Sequence, residues 1–182
     1  IDSRFDVIEC VGVLHHMVDP YAGWRALLGR LRPGGLMLIG LYSAISRRVI
    51  RAQSENPDWP GPNADDDELR TYRRRLMQGG FGEDAFALTK TIDFFNKSGF
   101  RDLALHVSER TCAIPEIGDF MTAHGLEFHG FSLPDDTLRA YADAFPGDGP
   151  PGTLEHWWAF EQANPRTFSG MYLFWCRCTR GY

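Results

Sequence analysis

The chain has 182 residues, 43% of them hydrophobic and 24% charged, an ordinary globular balance with enough length for one full-sized core. Its formal net charge of −5, with arginines scattered among acids, gives no basic field for a phosphate backbone or an anionic bilayer, so neither nucleic acid nor a membrane is an expected partner. No window carries the ~18 apolar residues of a membrane span and no charged-then-apolar leader opens the chain, which makes a cytoplasmic protein the expectation.

The first run, Phe5 to Val13, is nearly continuous in apolar and β-branched residues, which predicts a parallel strand buried on both faces. Asp19-Pro20 then sets an N-cap before a proline at the first helical position. Trp24, Leu27, Leu28 and Leu31 recur at helical spacing until Arg32-Pro33-Gly34-Gly35, which reads as the stop. Leu36 to Tyr42 is a second apolar run, completing a strand, helix, strand unit whose crossover is expected to be right-handed. Ser43 to Gln53 reads as a helix with Ile45, Val49 and Ile50 inward and Arg47, Arg48 and Arg51 on the polar side.

Asn56 to Asn63 is a proline-rich loop, and the acids Asp65 to Glu68 lead into a charged helix through Met77 that Gly79-Gly80 ends. Residues 55–97 therefore read as an insertion or lid within a single domain spanning 1–182. Thr91 to Phe100 has no clear period. Ile114-Pro115-Glu116 opens a helix that closes at His124-Gly125, and Leu126 to Leu133 is a third strand interrupted by Gly130. Two short helices, Leu138 to Ala144 and Leu154 to Gln162, flank the Pro146 to Gly152 loop, and the aromatic run Gly170 to Cys178 is a terminal strand. Of the four cysteines, Cys176 and Cys178 share one face of that strand without the spacing of a metal or redox pair, and all four read as reduced packing residues.

Two linked pieces carry more than composition. Phe5-Asp6-Val7-Ile8 running into Val13-Leu14-His15-His16, followed by Leu31-Arg32-Pro33-Gly34-Gly35 before the second strand, resembles class I S-adenosylmethionine-dependent methyltransferases from their fourth strand onward. The resemblance covers about forty residues in order and spacing. It implies a Rossmann-like α/β sheet of order 3-2-1-4-5-7-6 with an antiparallel seventh strand, of which this chain supplies strands 4, 5, 7 and 6 along with a helical insertion. It also implies that the chain, which opens on Ile1, is a C-terminal fragment lacking the glycine-rich turn and the ribose-binding acid, and inactive alone.

Ligands of open α/β sheets sit at the carboxyl ends of the strands, so Val11, Gly12, Val13 and Leu14 are the expected border of S-adenosylmethionine. His15 or His16 is the candidate general base, because imidazole takes a proton near neutral pH; the alternative is packing for one and a backbone hydrogen bond for the other. Tyr42, Ser43, Arg101 and His106 are the candidate contacts to a methyl acceptor, whether small molecule or protein. Adjacent histidines on a turn lack a third ligand at recognisable spacing, so no metal is expected.

As a fragment, the chain is expected to expose the edge of its first strand and to self-associate there. A methyltransferase-derived binding or scaffolding module is the competing reading. A nicotinamide-dependent oxidoreductase is a third, disfavoured by the Val13-Leu14-His15-His16 turn.

Overall fold

In the computed structural model, residues 3–90, 92–105 and 109–179 are described. In chain order they form β1 (Phe5–Cys10), α1 (Pro20–Leu28), β2 (Leu31–Ser43), α2 (Arg48–Ser54), α3 (Asp66–Met77), α4 (Glu83–Phe86), α5 (Lys97–Leu105), β3 (Thr111–Cys112), α6 (Ile114–Ala123), β4 (Leu126–Phe131), α7 (Asp135–Ala144), α8 (Leu154–Ala163) and β5 (Tyr172–Cys178). Short 3-10 turns lie at Leu14–His16, Ala87–Lys90 and Ile92–Phe95. No helix among the described residues is long and apolar enough to cross a membrane.

The chain divides into two units, one built from Ile1–Ser46 with Glu109–Tyr182 and the other from Arg47–Ser108. In the first, the sheet runs β1-β2-β5-β4, with β1 parallel to β2 and β5 antiparallel to both its neighbours. That is the expected 4-5-7-6 order with its last strand reversed. β5 is central, and its inward residues Tyr172, Phe174, Cys176 and Cys178 are buried, packing with Trp24, Phe120, Phe131, Trp157 and Phe160. All four cysteines are free and buried.

Local chemistry explains where the elements begin and end. Asp19 caps α1 by accepting from the Ala22 amide at 2.9 Å, with Pro20 at the first helical position where no amide hydrogen is needed. Gly125 takes a φ of +60° just past α6, and Gly130 a φ of +108° where the β4–β5 register slips between Phe128 and Phe131.

Several expectations are corrected. The first strand ends at Cys10, not Val13, and is not buried on both faces: Phe5 and Val7 are 44% and 49% exposed, and among the described residues β1 pairs only with β2. α1 stops at Leu28, so Arg32-Pro33-Gly34-Gly35 is no helix terminator but part of β2. The register passes from Phe5↔Leu31 to Val7↔Leu36, and the surplus residues bulge out through Gly34 at φ +77°. Proline without a donor and glycine in a left-handed conformation suit a bulge as well as a helix stop. The helix expected from Ser43 begins only at Arg48, because the Ser43 hydroxyl accepts from the amides of Ile45 (3.1 Å) and Ser46 (3.0 Å) and turns the chain first. Arg47, expected on the polar side, is buried.

The second unit has its own core of Leu69, Tyr72, Leu76, Phe94, Phe100 and Leu105. α3 opens on a capping box: Asp65 Oδ1 accepts from the amides of Asp67 and Glu68 at 2.9 Å, and Glu68 accepts from the Asp65 amide at 2.8 Å. Trp59 Nε1 donates to the Ala104 carbonyl at 3.0 Å, which ties the proline-rich loop to α5. The stretch 55–97 lies inside this unit.

Candidate functional site

At the carboxyl end of β1 the chain leaves the sheet through Val11, Gly12 and Val13, all exposed, and enters the Leu14–His16 turn. Gly12 has a φ of +76°, which favours glycine, and a Cβ built on it would meet nothing within 4 Å. Bare backbone is therefore presented to open space at the strand end. The turn behind it is pinned: the His16 amide donates to the Val13 carbonyl at 3.1 Å, the Met17 amide to Leu14 at 3.0 Å, and Leu14 is buried in the core.

The two histidines part company here. His15 is 1% exposed, its ring 3.9 Å from that of Tyr42 at the end of β2, and its carbonyl accepts from the Arg110 amide at 2.8 Å. His16 is half-buried, with its ring 4.3 Å from that of His15. Val11 to His16 and Tyr42 thus come together on one rim.

Beside this rim lies a cleft of about 280 Å³ between the start of α1 and the carboxyl ends of β2 and β3, lined among others by Tyr21, Leu41, Arg110, Thr111 and Cys112. Burial, with the neighbouring Cys112 thiol and Glu116 carboxylate, holds the Tyr21 hydroxyl well above its ordinary range. Burial likewise pushes the Cys112 thiol up to about 12. Neither ionises near neutral pH.

Ser43 is placed differently from Tyr42. It is 1% exposed, and its hydroxyl donates to Glu161 on α8 while accepting from the two amides that turn the chain. Glu161 is itself fully buried and accepts from the Tyr172 hydroxyl at 2.6 Å, which helps burial keep that hydroxyl protonated. This network anchors the end of β2 beneath the rim. Arg101 belongs to the second unit, where its guanidinium donates to the carbonyls of Pro62 and Ala64. His106 lies outside the described residues.

Sequence reasoning missed Glu161, Tyr21, Arg110 and Cys112. For Glu161 a signal existed, since it falls four residues after Trp157 on the buried stripe of α8. The two-residue β3, which brings Arg110 and Cys112 to the site through Tyr42↔Thr111 and Ser43↔Cys112 pairing, is too short to leave a period.

No protein-family model matches the chain. Over 55 residues it is 47% identical to an uncharacterized protein of Synechococcus sp., a stretch covering 30% of this chain and 13% of that protein. Among solved structures, PKMT2 from Rickettsia typhi in complex with AdoHcy matches 99% of the chain with a TM-score of 0.67 at 11% identity. A second structure of PKMT2 from Rickettsia typhi matches 96% with a TM-score of 0.55, also at 11% identity. The chain spans 36% and 35% of the lengths of those two chains. The likeness establishes a shared α/β fold with a sheet of this type.

Proposed function

We propose that the chain forms part of an S-adenosylmethionine-dependent methyltransferase, and that the rim at the end of β1 is its share of the cofactor site. The observation that carries this reading is the open, Cβ-free backbone at Gly12, at the carboxyl end of a parallel strand where ligands of such sheets bind. The fold shared with a protein solved with AdoHcy, the species left when S-adenosylmethionine has given up its methyl, supports it.

The residues fit the group. Val11, Gly12 and Val13 are exposed and leave room for a ligand to approach the main chain, while Leu14, buried, contributes backbone alone. When bound, the cofactor supplies a methyl group on a sulfonium, open to in-line attack by an oxygen or nitrogen nucleophile. The rest falls to this chain. His16, half-buried on the rim, is the candidate to take the proton that the nucleophile loses. His15, packed on Tyr42, sets the position of the turn. The neighbouring cleft, with Tyr21 and Arg110, receives the acceptor, a small molecule or a protein side chain. In this reading the 182 residues hold one part of the site and are inactive alone.

Calorimetric titration of S-adenosylhomocysteine into the full-length product of the gene, and into this chain by itself, tests the proposal. The full-length protein is expected to bind and the chain alone to bind negligibly. Gly12→Val in the full-length protein places a β-branched side chain on the cradle and is expected to weaken binding about tenfold or more, ~1.4 kcal/mol or above. A full-length protein that binds no S-adenosylhomocysteine would overturn the reading in favour of a binding module that kept the fold and lost the chemistry.

A further inference from the structure

We infer that the second unit carries a binding site for a small organic carboxylate, held by Arg73. Asp66, Leu69, Arg70 and Arg73 follow one another at intervals of three, one and three along α3 and so share a face of that helix. Lys97 and Phe100, three apart on α5, complete a concave cleft of about 150 Å³. Its cations are not equivalent. Arg70 is paired with Asp67 at 2.7 Å and Lys97 with Asp66 at 2.5 Å. Arg73 makes no ion pair among the described residues. Its guanidinium carbon lies 5.1 Å from the centre of the Phe94 ring and 5.4 Å from that of Phe100, and its Nε is shut off from solvent without a hydrogen-bond partner among those residues.

Stacking on two buried rings holds a guanidinium in place and removes part of its hydration, but a ring face accepts none of its N–H bonds in the plane. Among the described residues, its buried Nε–H has no in-plane acceptor. A carboxylate matches the guanidinium fork with two parallel hydrogen bonds. Leu69 and Phe100, on the same wall, suit an apolar body attached to it. A bare phosphate would bring more charge, beside the Asp66 carboxylate, and nothing for the apolar wall to hold.

The test is a titration of the protein with benzoate, and separately with inorganic phosphate, at constant ionic strength, following the Arg73 Nε–H in ¹H–¹⁵N spectra. Benzoate is expected to move that resonance saturably. Arg73→Met, which keeps an apolar stem against the rings, should abolish the saturable shifts that benzoate produces in the backbone amides of α3 and α5, the signals that report binding in that variant. Lys97→Gln should weaken binding about threefold, since it frees Asp66 to repel the ligand while removing only an exposed ion pair. A benzoate response that is absent, linear or unchanged in Lys97→Gln overturns the proposal, as does phosphate binding more tightly than benzoate.

Discussion

Glu161 shows how much can rest on one side chain. Fully buried, it accepts from Ser43 at the end of β2 and from Tyr172 on β5, tying α8 to two strands directly beneath the rim. Glu161→Ala would leave two buried hydroxyls without their acceptor and open a cavity, an expected loss of about 3–5 kcal/mol in denaturant unfolding. Glu161→Gln keeps one carbonyl acceptor and should cost less than half as much. Equal losses for the two variants would mean that volume, not hydrogen bonding, accounts for the effect. The histidines divide in the same manner. His15→Ala removes a ring packed on Tyr42 and is expected to destabilise by about 2–3 kcal/mol. On the proposed methyltransferase reading, with His16 as general base, His16→Gln should leave stability and S-adenosylhomocysteine affinity of the full-length protein intact while lowering turnover about 100-fold. Turnover unchanged in His16→Gln would remove it from the mechanism.

Among the elements, the loop between α7 and α8 has a pH dependence that can be signed. Asp148 Oδ2 accepts from the Tyr141 hydroxyl, from the Thr153 amide at 3.0 Å and pairs with His156 Nδ1 at 3.0 Å. The Tyr141 and Thr153 hydrogen bonds hold the Asp148 carboxyl below its ordinary range. Its folded pKa being the lower one, the stability it contributes is present above the unfolded value of about 4 and is lost as pH falls through the folded value. Trp157, stacked 3.7 Å from Tyr141 and donating to the Pro151 carbonyl at 3.0 Å, reports on the loop. Its fluorescence should change in an acid titration below pH ~4, and Asp148→Asn should erase that step. A step that persists in the variant would belong to another group.

These same elements mark what the sequence could reveal. Helix starts and the last strand were legible: Asp19-Pro20, the acids Asp65 to Glu68 opening a charged helix, and the aromatic run at the end. What stayed hidden is set by distant partners. Arg47 and Glu161 are charged residues buried by tertiary packing, β3 is defined solely by its pairing with β2, and Arg32-Pro33-Gly34-Gly35 bulges because β1 fixes the register on either side. The place of Val11 to His16 at the end of β1 was legible because the backbone at a strand end follows from topology, whereas the cleft beside it required β3.

For the molecule as a whole, the decisive feature is the edge of the sheet. β1 pairs with β2 on one side and with no strand among the described residues on the other. Phe5 and Val7 are exposed on β1, and so are Val11, Val13 and Val18 in the segment that follows it, the last of them 87% exposed. An unpaired ladder next to apolar side chains is a template for another strand, and concentration-dependent association of the isolated chain is the expected outcome. Val7→Lys should reverse it at a folding cost within about 0.5 kcal/mol, since the position is half open to water and a charge on an edge opposes pairing. Val18→Lys separates the two sources of attraction, because Val18 lies outside the strand. If light scattering shows that Val18→Lys restores the monomer and Val7→Lys does not, the apolar surface associates without strand pairing. If the unaltered chain is monomeric at every concentration, the edge is protected by the twist and the exposed charges of β1, Asp6 and Glu9, and strand addition is not what this surface does.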